Sequence, residues 1–158
     1  MKNTFKRSGA ALISLVLLLV LAVSAGAASS QNVGVKFWKE RSDKESMANS
    51  GIDPDRTATL TRQANGTYTL TLPVMQVSKM GVTGYLSGLT IGDVTYDGTL
   101  TGDFNKATAV LTIKNLPASV LTGSDVNKSV LVTCNIQMDL QVLGEINTSA
   151  RMCIWNQT

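Results

Sequence analysis

The chain of 158 residues contains no histidine, only two cysteines and few aromatic residues, which make up 5% of it. Without an imidazole the protein lacks the side chain that most often acts as a general base, and it also lacks the nitrogen ligand of most catalytic zinc sites. Neither Cys134 nor Cys153 can be activated by a histidine, as the nucleophile of a thiol protease is. No two carboxylates lie in an apolar context suited to glycoside hydrolysis. We therefore predict that the protein is not an enzyme.

The acidic residues that stand near glycines do not indicate a metal site. Asp93, Asp97 and Asp103 lack the closely alternating acidic ligands of a calcium-binding loop, so we interpret them as turn residues. The segment Asp53-Pro54-Asp55 is likewise most simply a cap followed by a turn.

Residues 1–27 have the pattern of an export signal. Lys2, Lys6 and Arg7 give a positive start, an apolar stretch follows from Ala10 to Val23, and small residues at 25–27 offer a cleavage site. The apolar stretch is shorter than the roughly 20 residues that a membrane-spanning helix needs. We predict a cleaved signal peptide and a secreted or cell-envelope location, with an uncleaved membrane anchor as the alternative.

The charge of the chain is balanced once this segment is removed. Three of the 14 basic residues lie within it, so 11 basic residues then face 11 acidic ones. A net charge near zero argues against long-range attraction to nucleic acid or to anionic lipid. We expect no nucleic-acid partner, and a membrane contact only if the signal segment is retained.

Residues 28–158 read as one all-β domain. Val33, Val35 and Phe37 alternate with other residues, and so do Tyr68, Leu70, Leu72 and Val74 after the turn Asn65-Gly66. Further strands are predicted around a passage rich in glycine, on either side of a turn at Asp97-Gly98, and over 107–113. Short strands without intervening helices favour an immunoglobulin-like antiparallel β-sandwich, with a closed barrel as the second possibility.

The clearest hairpin is the last one. One face of its first arm is apolar and contains Val130, Val132, Cys134, Ile136, Met138, Leu140 and Val142, and the chain returns through Ile146 to Trp155. A symmetric turn near residues 143–144 would set Cys134 opposite Cys153, which an exported protein could oxidise to a disulfide. Cys153, however, alternates out of phase with its apolar neighbours. A disulfide, which would need a bulge, and two free thiols therefore both stay open.

A short capped segment precedes the first hairpin. Ser42 is followed three residues later by Glu45, a reciprocal capping pattern, and Ser46-Met47-Ala48-Asn49 continues it as one or two helical turns that end at Gly51 and Pro54. A short helix with Ser-Met-Ala, followed by a strand, a tight turn and a strand that begins with Tyr68, resembles the opening of NEAT (near iron transporter) domains. These are haem-binding immunoglobulin-like modules on the surface of Gram-positive bacteria.

The resemblance implies a function and a set of ligand-contacting residues. In the family the serine of the short helix contacts a haem propionate and the next methionine lies against the porphyrin, and Ser46 and Met47 match these positions. The apolar hairpin would form the opposite wall through Met138, Leu140 and Met152. The implied function is a secreted or cell-surface module that binds haem, or a related flat apolar ligand, during iron acquisition.

The sequence departs from the family at the iron ligand. The family carries a Tyr-x-x-x-Tyr pattern at the start of the final strand, whereas residues 144–150 contain no tyrosine. Met138, Met152 or Tyr85 could take that place, although each is more often core filler or a loop anchor. The alternative function is therefore a NEAT-like interaction or adhesion module that does not coordinate haem and binds other cell-envelope proteins. A purely structural exported domain is the third hypothesis.

Overall fold

The computed structural model describes residues 28–79, 81–139 and 144–158 and shows nine strands. In chain order they are β1 Ser29–Lys39, β2 Ala58–Arg62, β3 Tyr68–Pro73, β4 Val77–Lys79, β5 Val82–Ile91, β6 Val94–Thr101, β7 Val110–Leu116, β8 Val130–Met138 and β9 Glu145–Asn156. Four short 3-10 helices cover Met47–Gly51, Phe104–Lys106, Ala118–Val120 and Val126–Lys128. The predicted signal peptide, residues 1–27, lies outside the described residues. In the part of the chain that is described, no helix is long and apolar enough to span a membrane.

All nine strands belong to one antiparallel sheet that closes on itself. The order is β4-β5-β6-β7-β3-β2-β1-β9-β8, and β8 pairs in turn with β5. Strand β5 makes this closure because its first residues pair with β4, its last residues pair with β6, and its other edge pairs with β8. The all-β class and the antiparallel pairing were predicted correctly. The prediction of two separate packed sheets was wrong, and the closed barrel is the architecture found.

The alternating apolar residues fill the inside of this barrel. Phe37, Leu70, Leu72, Leu111 and Ile113 have no exposed surface, as expected for side chains that point to one face of a half-buried strand. The strands predicted around Val33, Tyr68 and Leu111 are confirmed. Because aromatic residues are few, aliphatic side chains supply nearly all of this core.

Two glycines allow the neighbouring strands β5 and β6 to approach each other closely. A Cβ atom at Gly88 would lie 2.7 Å from the carbonyl oxygen of Tyr96, and one at Gly98 would lie 2.6 Å from that of Ser87. The prediction of a turn at Asp97-Gly98 was wrong, since β6 runs through both residues. The turn lies earlier, where Gly92 has a positive φ of 59°. Glycine at 98 is needed here for space rather than for backbone freedom.

The two cysteines are both buried and both free. In the last hairpin Cys134 faces Thr148 rather than Cys153, because the register is shifted from the symmetric one assumed above. Cys153 pairs instead with Lys36 of β1 and directs its sulfur outwards, 3.6 Å from the carbonyl oxygen of Asp125. Cys134 and Cys153 therefore lie on opposite faces of the hairpin, which explains why Cys153 alternates out of phase with its apolar neighbours. The disulfide hypothesis is wrong.

Burial of Cys134 makes the stability of the fold sensitive to alkaline pH. Desolvation raises the pKa of its thiol from 9.0 to about 12. Above pH 9 the unfolded chain loses this proton while the folded chain keeps it, so the free energy of unfolding falls as the pH rises from about 9 to 12. The upper limit of this loss is about 4 kcal/mol. Chemical denaturation should show a shallower decline over this range for Cys134→Ala than for the parent chain, and equal slopes would contradict the assignment.

Candidate functional site at the open end of the barrel

A cavity of about 390 Å³ lies at one end of the barrel, between the short helix Met47–Gly51 and the hairpin of β8 and β9. Its walls come from both of these elements, from the end of β1, from β4 and from the start of β5. The lining residues are Lys39, Glu40, Ser46, Met47, Ala48, Gly51, Val77, Val82, Gly84, Leu86, Ile136, Met138, Ile146, Thr148 and Ser149.

The apolar wall follows from strand register. Leu86 of β5 pairs with Ile136 of β8, which pairs in turn with Ile146 of β9, so the three side chains point to the same face. One step along the barrel, Gly84 pairs with Met138. A Cβ atom at Gly84 would lie 2.8 Å from the Met138 sulfur, so the absence of a side chain lets this thioether lie flat against β5.

The opposite wall is the short helix Met47–Gly51, which has Ser46 as its N-cap. The Ser46 hydroxyl oxygen accepts a hydrogen bond from the amide of Ala48 at 3.3 Å, as an N-cap does. The predicted reciprocal cap at Ser42 and Glu45 was wrong, because Glu45 forms a bridge with Trp38 and an ion pair with Lys36. The helix is a single 3-10 segment of five residues, which agrees with the predicted one or two helical turns.

Asn49 fixes the helix to the barrel. Its side-chain oxygen accepts from the Phe37 amide at 2.8 Å, and its side-chain nitrogen donates to the Phe37 carbonyl at 2.7 Å. At the far end of the helix the Met75 amide donates to the Gly51 carbonyl at 3.0 Å. Because its middle residue and its last residue are both attached to neighbouring segments, the helix is held over the cavity. Nothing in the sequence pattern identified Asn49 as the residue that does this.

The rim of the cavity is polar on one side. Lys39 is the last residue of β1 and Glu40 follows it, and Ser46, Thr148 and Ser149 add hydroxyl groups. Within residues 28–79, 81–139 and 144–158, no carboxylate lies within ion-pair distance of the Lys39 ammonium group. An apolar cavity whose rim carries a cation, a carboxylate and hydroxyl groups is suited to an apolar molecule with polar substituents.

Some of the site residues predicted from the sequence line the cavity, and others do not. Ser46, Met47 and Met138 line the cavity together, from both walls. Met152 instead lies fully buried in the barrel core and is absent from the lining. Leu140 lies outside the described residues. Sequence reasoning did not select Ile136 and Ile146, although the alternation of the last hairpin already placed them on its apolar face.

The described lining of the cavity contains neither a tyrosine nor a cysteine. Tyr85, the tyrosine proposed to reach inwards, lies in β5 and packs against Phe104 with ring centroids 5.2 Å apart. Among the residues that the structure describes, no cluster of three or more His, Cys, Asp or Glu side chains could hold a metal ion. The sulfur donors in this lining are the thioethers of Met47 and Met138.

A second, smaller cavity of about 230 Å³ lies near Trp155 and Asp53. The cation in its described lining, Arg56, already donates to the carbonyl oxygens of Ala107 and Ala109 at 3.1 and 2.9 Å. The Asp53 carboxylate accepts from the Asp55 amide at 3.1 Å, which confirms the predicted cap and turn. These polar groups serve the loop itself, so this cavity is the weaker candidate.

Comparison with solved structures shows a shared fold. The chain is similar to the NEAT5 domain of IsdX2, a B. anthracis hemophore in complex with heme, with a TM-score of 0.53 and 10% sequence identity. A point mutant of that domain, also in complex with heme, gives the same values; in both cases the match covers 83% of this chain and 98% of the other. No protein-family model and no curated protein matches the sequence. The chain has the fold of a NEAT domain.

Proposed function

We propose that the protein binds haem or a related tetrapyrrole in the cavity between the short helix and the last hairpin, as a secreted or cell-envelope module of iron acquisition. The observation that carries the proposal is the meeting of these two elements around an apolar cavity. The likeness of fold to a hemophore domain in complex with heme supports it. The pattern of residues 1–27 supports export.

The residues present fit the porphyrin plane and its carboxylates better than they fit the iron. Leu86, Ile136 and Ile146 offer apolar surface for a flat ring. Ser46 uses its oxygen as an acceptor for the cap but keeps an O–H donor, and Lys39 adds a positive charge at the same rim. Both groups would hold propionates. The described lining offers the metal no phenolate or imidazole, and its softest donors are the two thioethers.

A direct test is titration of the purified mature protein with haemin. The proposal expects a change in the Soret band that saturates at one haem per chain, and pigment that stays with the protein on gel filtration. An unchanged Soret band with no retained pigment would remove the proposal.

Replacing Ser46 with alanine separates its two roles. We expect the free energy of unfolding to fall by about 1 kcal/mol through loss of the cap, and the affinity for haemin to fall about fivefold through loss of a propionate donor. The matched control is Asp125→Ala, which removes the N-cap of the helix Val126–Lys128 away from the cavity. It should cost similar stability without changing affinity. Equal affinities of Ser46→Ala and the parent chain would assign Ser46 to the cap alone.

The second candidate function is a NEAT-like interaction or adhesion module. The lack of a tyrosine, histidine or cysteine among the described lining residues favours it. Such a module would bind an apolar segment of another envelope protein in the same cavity. It predicts no saturable binding of haemin, of metal-free porphyrin or of reduced haem, so titration with these three probes distinguishes the two functions.

A further inference from the structure

The donor groups of this chain restrict which state of haem iron the cavity can hold. The chain has no histidine, and its three tyrosines lie in β3, β5 and β6 rather than among the lining residues. Cys134 is fully buried in the core, and Cys153 is covered on the outside of the barrel. The lining carboxylate, Glu40, lies exposed at the polar rim beyond the end of β1. The described apolar walls therefore offer sulfur of the thioether type and no phenolate, thiolate or imidazole.

The two thioethers reach the cavity from opposite sides. Met138 belongs to β8, where pairing with Gly84 fixes its backbone, and its sulfur lies in the space that a side chain at position 84 would occupy. Met47 belongs to the short helix and is 55% exposed. The strand-held sulfur is the better placed donor, because a rigid element positions a ligand more accurately than an exposed side chain does.

We propose that the site is selective for ferrous over ferric haem, with the Met138 sulfur as the protein ligand to the iron. This inference rests on the proposed function. A thioether is a soft, neutral donor, and methionine ligation of haem favours the reduced state. Ferric haem carries a net positive charge at the iron that no anion within the described apolar wall would face, and an uncompensated charge is costly to bury. Ferrous haem carries no such charge.

The test is an anaerobic binding series with three probes: haem reduced with dithionite, ferric haemin and metal-free protoporphyrin. Quenching of tryptophan fluorescence measures affinity in all three, and absorption spectra report ligation of the iron. We expect ferrous haem to bind at least tenfold more tightly than ferric haemin, with metal-free porphyrin close to the ferric form.

The variant Met138→Leu keeps the volume of the side chain and removes the sulfur. It should abolish the preference for ferrous haem and leave the affinity for metal-free porphyrin within twofold of the parent value. Met75→Leu is the matched control, because Met75 is an exposed methionine next to the short helix but does not line the cavity. It should retain the full preference for ferrous haem.

The outcomes separate the two proposals. Equal binding of ferrous haem and metal-free porphyrin by the parent chain would overturn the ligand assignment while the proposed function stands. A preference for ferrous haem that survives in Met138→Leu would also overturn it, and its loss in Met47→Leu would transfer the role to the helix. Failure of all three probes to bind would overturn the proposed function together with this inference.

Discussion

Ile136→Glu is expected to lower the affinity for haem and for metal-free porphyrin about 30-fold. Ile136 lies on β8 in the middle of the apolar wall, paired with Leu86 on one side and Ile146 on the other. A bound porphyrin would cover the new carboxylate and remove it from water, which costs about 2 kcal/mol or more. Because Ile136 is only half-buried in the ligand-free protein, the fold should survive the change. Fluorescence titration of the folded variant measures the effect.

Leu131→Glu is the control for this prediction. Leu131 lies on the same strand, is 57% exposed and points to the other face, where it pairs with Arg151. The variant introduces the same charge into β8 outside the cavity, so its affinity for haem and for metal-free porphyrin should equal that of the parent chain. Equal losses in the two variants would show that a charge on β8 acts through the fold rather than through the cavity.

Gly98→Ala is expected to destabilise the protein by about 3 kcal/mol. The added Cβ atom would lie 2.3 Å from a methyl carbon of Leu111 and 2.6 Å from the carbonyl oxygen of Ser87. The leucine side chain could move, but the carbonyl belongs to the backbone of β5, so β5 and β6 must separate at the point where they pair. Urea denaturation monitored by circular dichroism measures the loss.

Gly66→Ala is the comparison for Gly98→Ala. Gly66 has a φ of 83° in the turn between β2 and β3, and a Cβ atom there would meet nothing within 4 Å. The cost is then limited to backbone strain, about 1 kcal/mol. If Gly98→Ala lowered the free energy of unfolding no more than Gly66→Ala does, the close approach of β5 and β6 in this part of the barrel would be contradicted.

The sequence predicted the elements of this fold better than their closure. Period-two alternation located β1, β3, β7 and the last hairpin, because one face of each strand is buried and the other is not. The same pattern occurs in a sandwich and in a barrel. What distinguishes them is the pairing of β5 with β8, which brings Gly84 close to Gln137 and Met138 and leaves no periodic signal.

The candidate site was predicted in part. Ser46 and Met47 were found from their resemblance to a family motif, and Met138 from the apolar face of the hairpin. Met152 was predicted to line the site but lies in the core. The alternation shows which face a residue is on but not how far along the barrel it lies, and the cavity occupies only the open end of the barrel. The cap lies at Ser46 and not at Ser42 because Glu45 pairs with Lys36 and Trp38, contacts with β1 that a capping pattern of four residues cannot show.

The placement of the ligand is tested most directly by NMR titration of the isotopically labelled protein with metal-free protoporphyrin. The diamagnetic ligand should shift the backbone amides of Ala48, Gly84, Ile136 and Thr148, which surround the cavity from its different walls. Amides near Trp155 and Asp53, at the smaller cavity, should stay unchanged. Shifts centred on that second region, or no shifts at saturating porphyrin, would contradict the account.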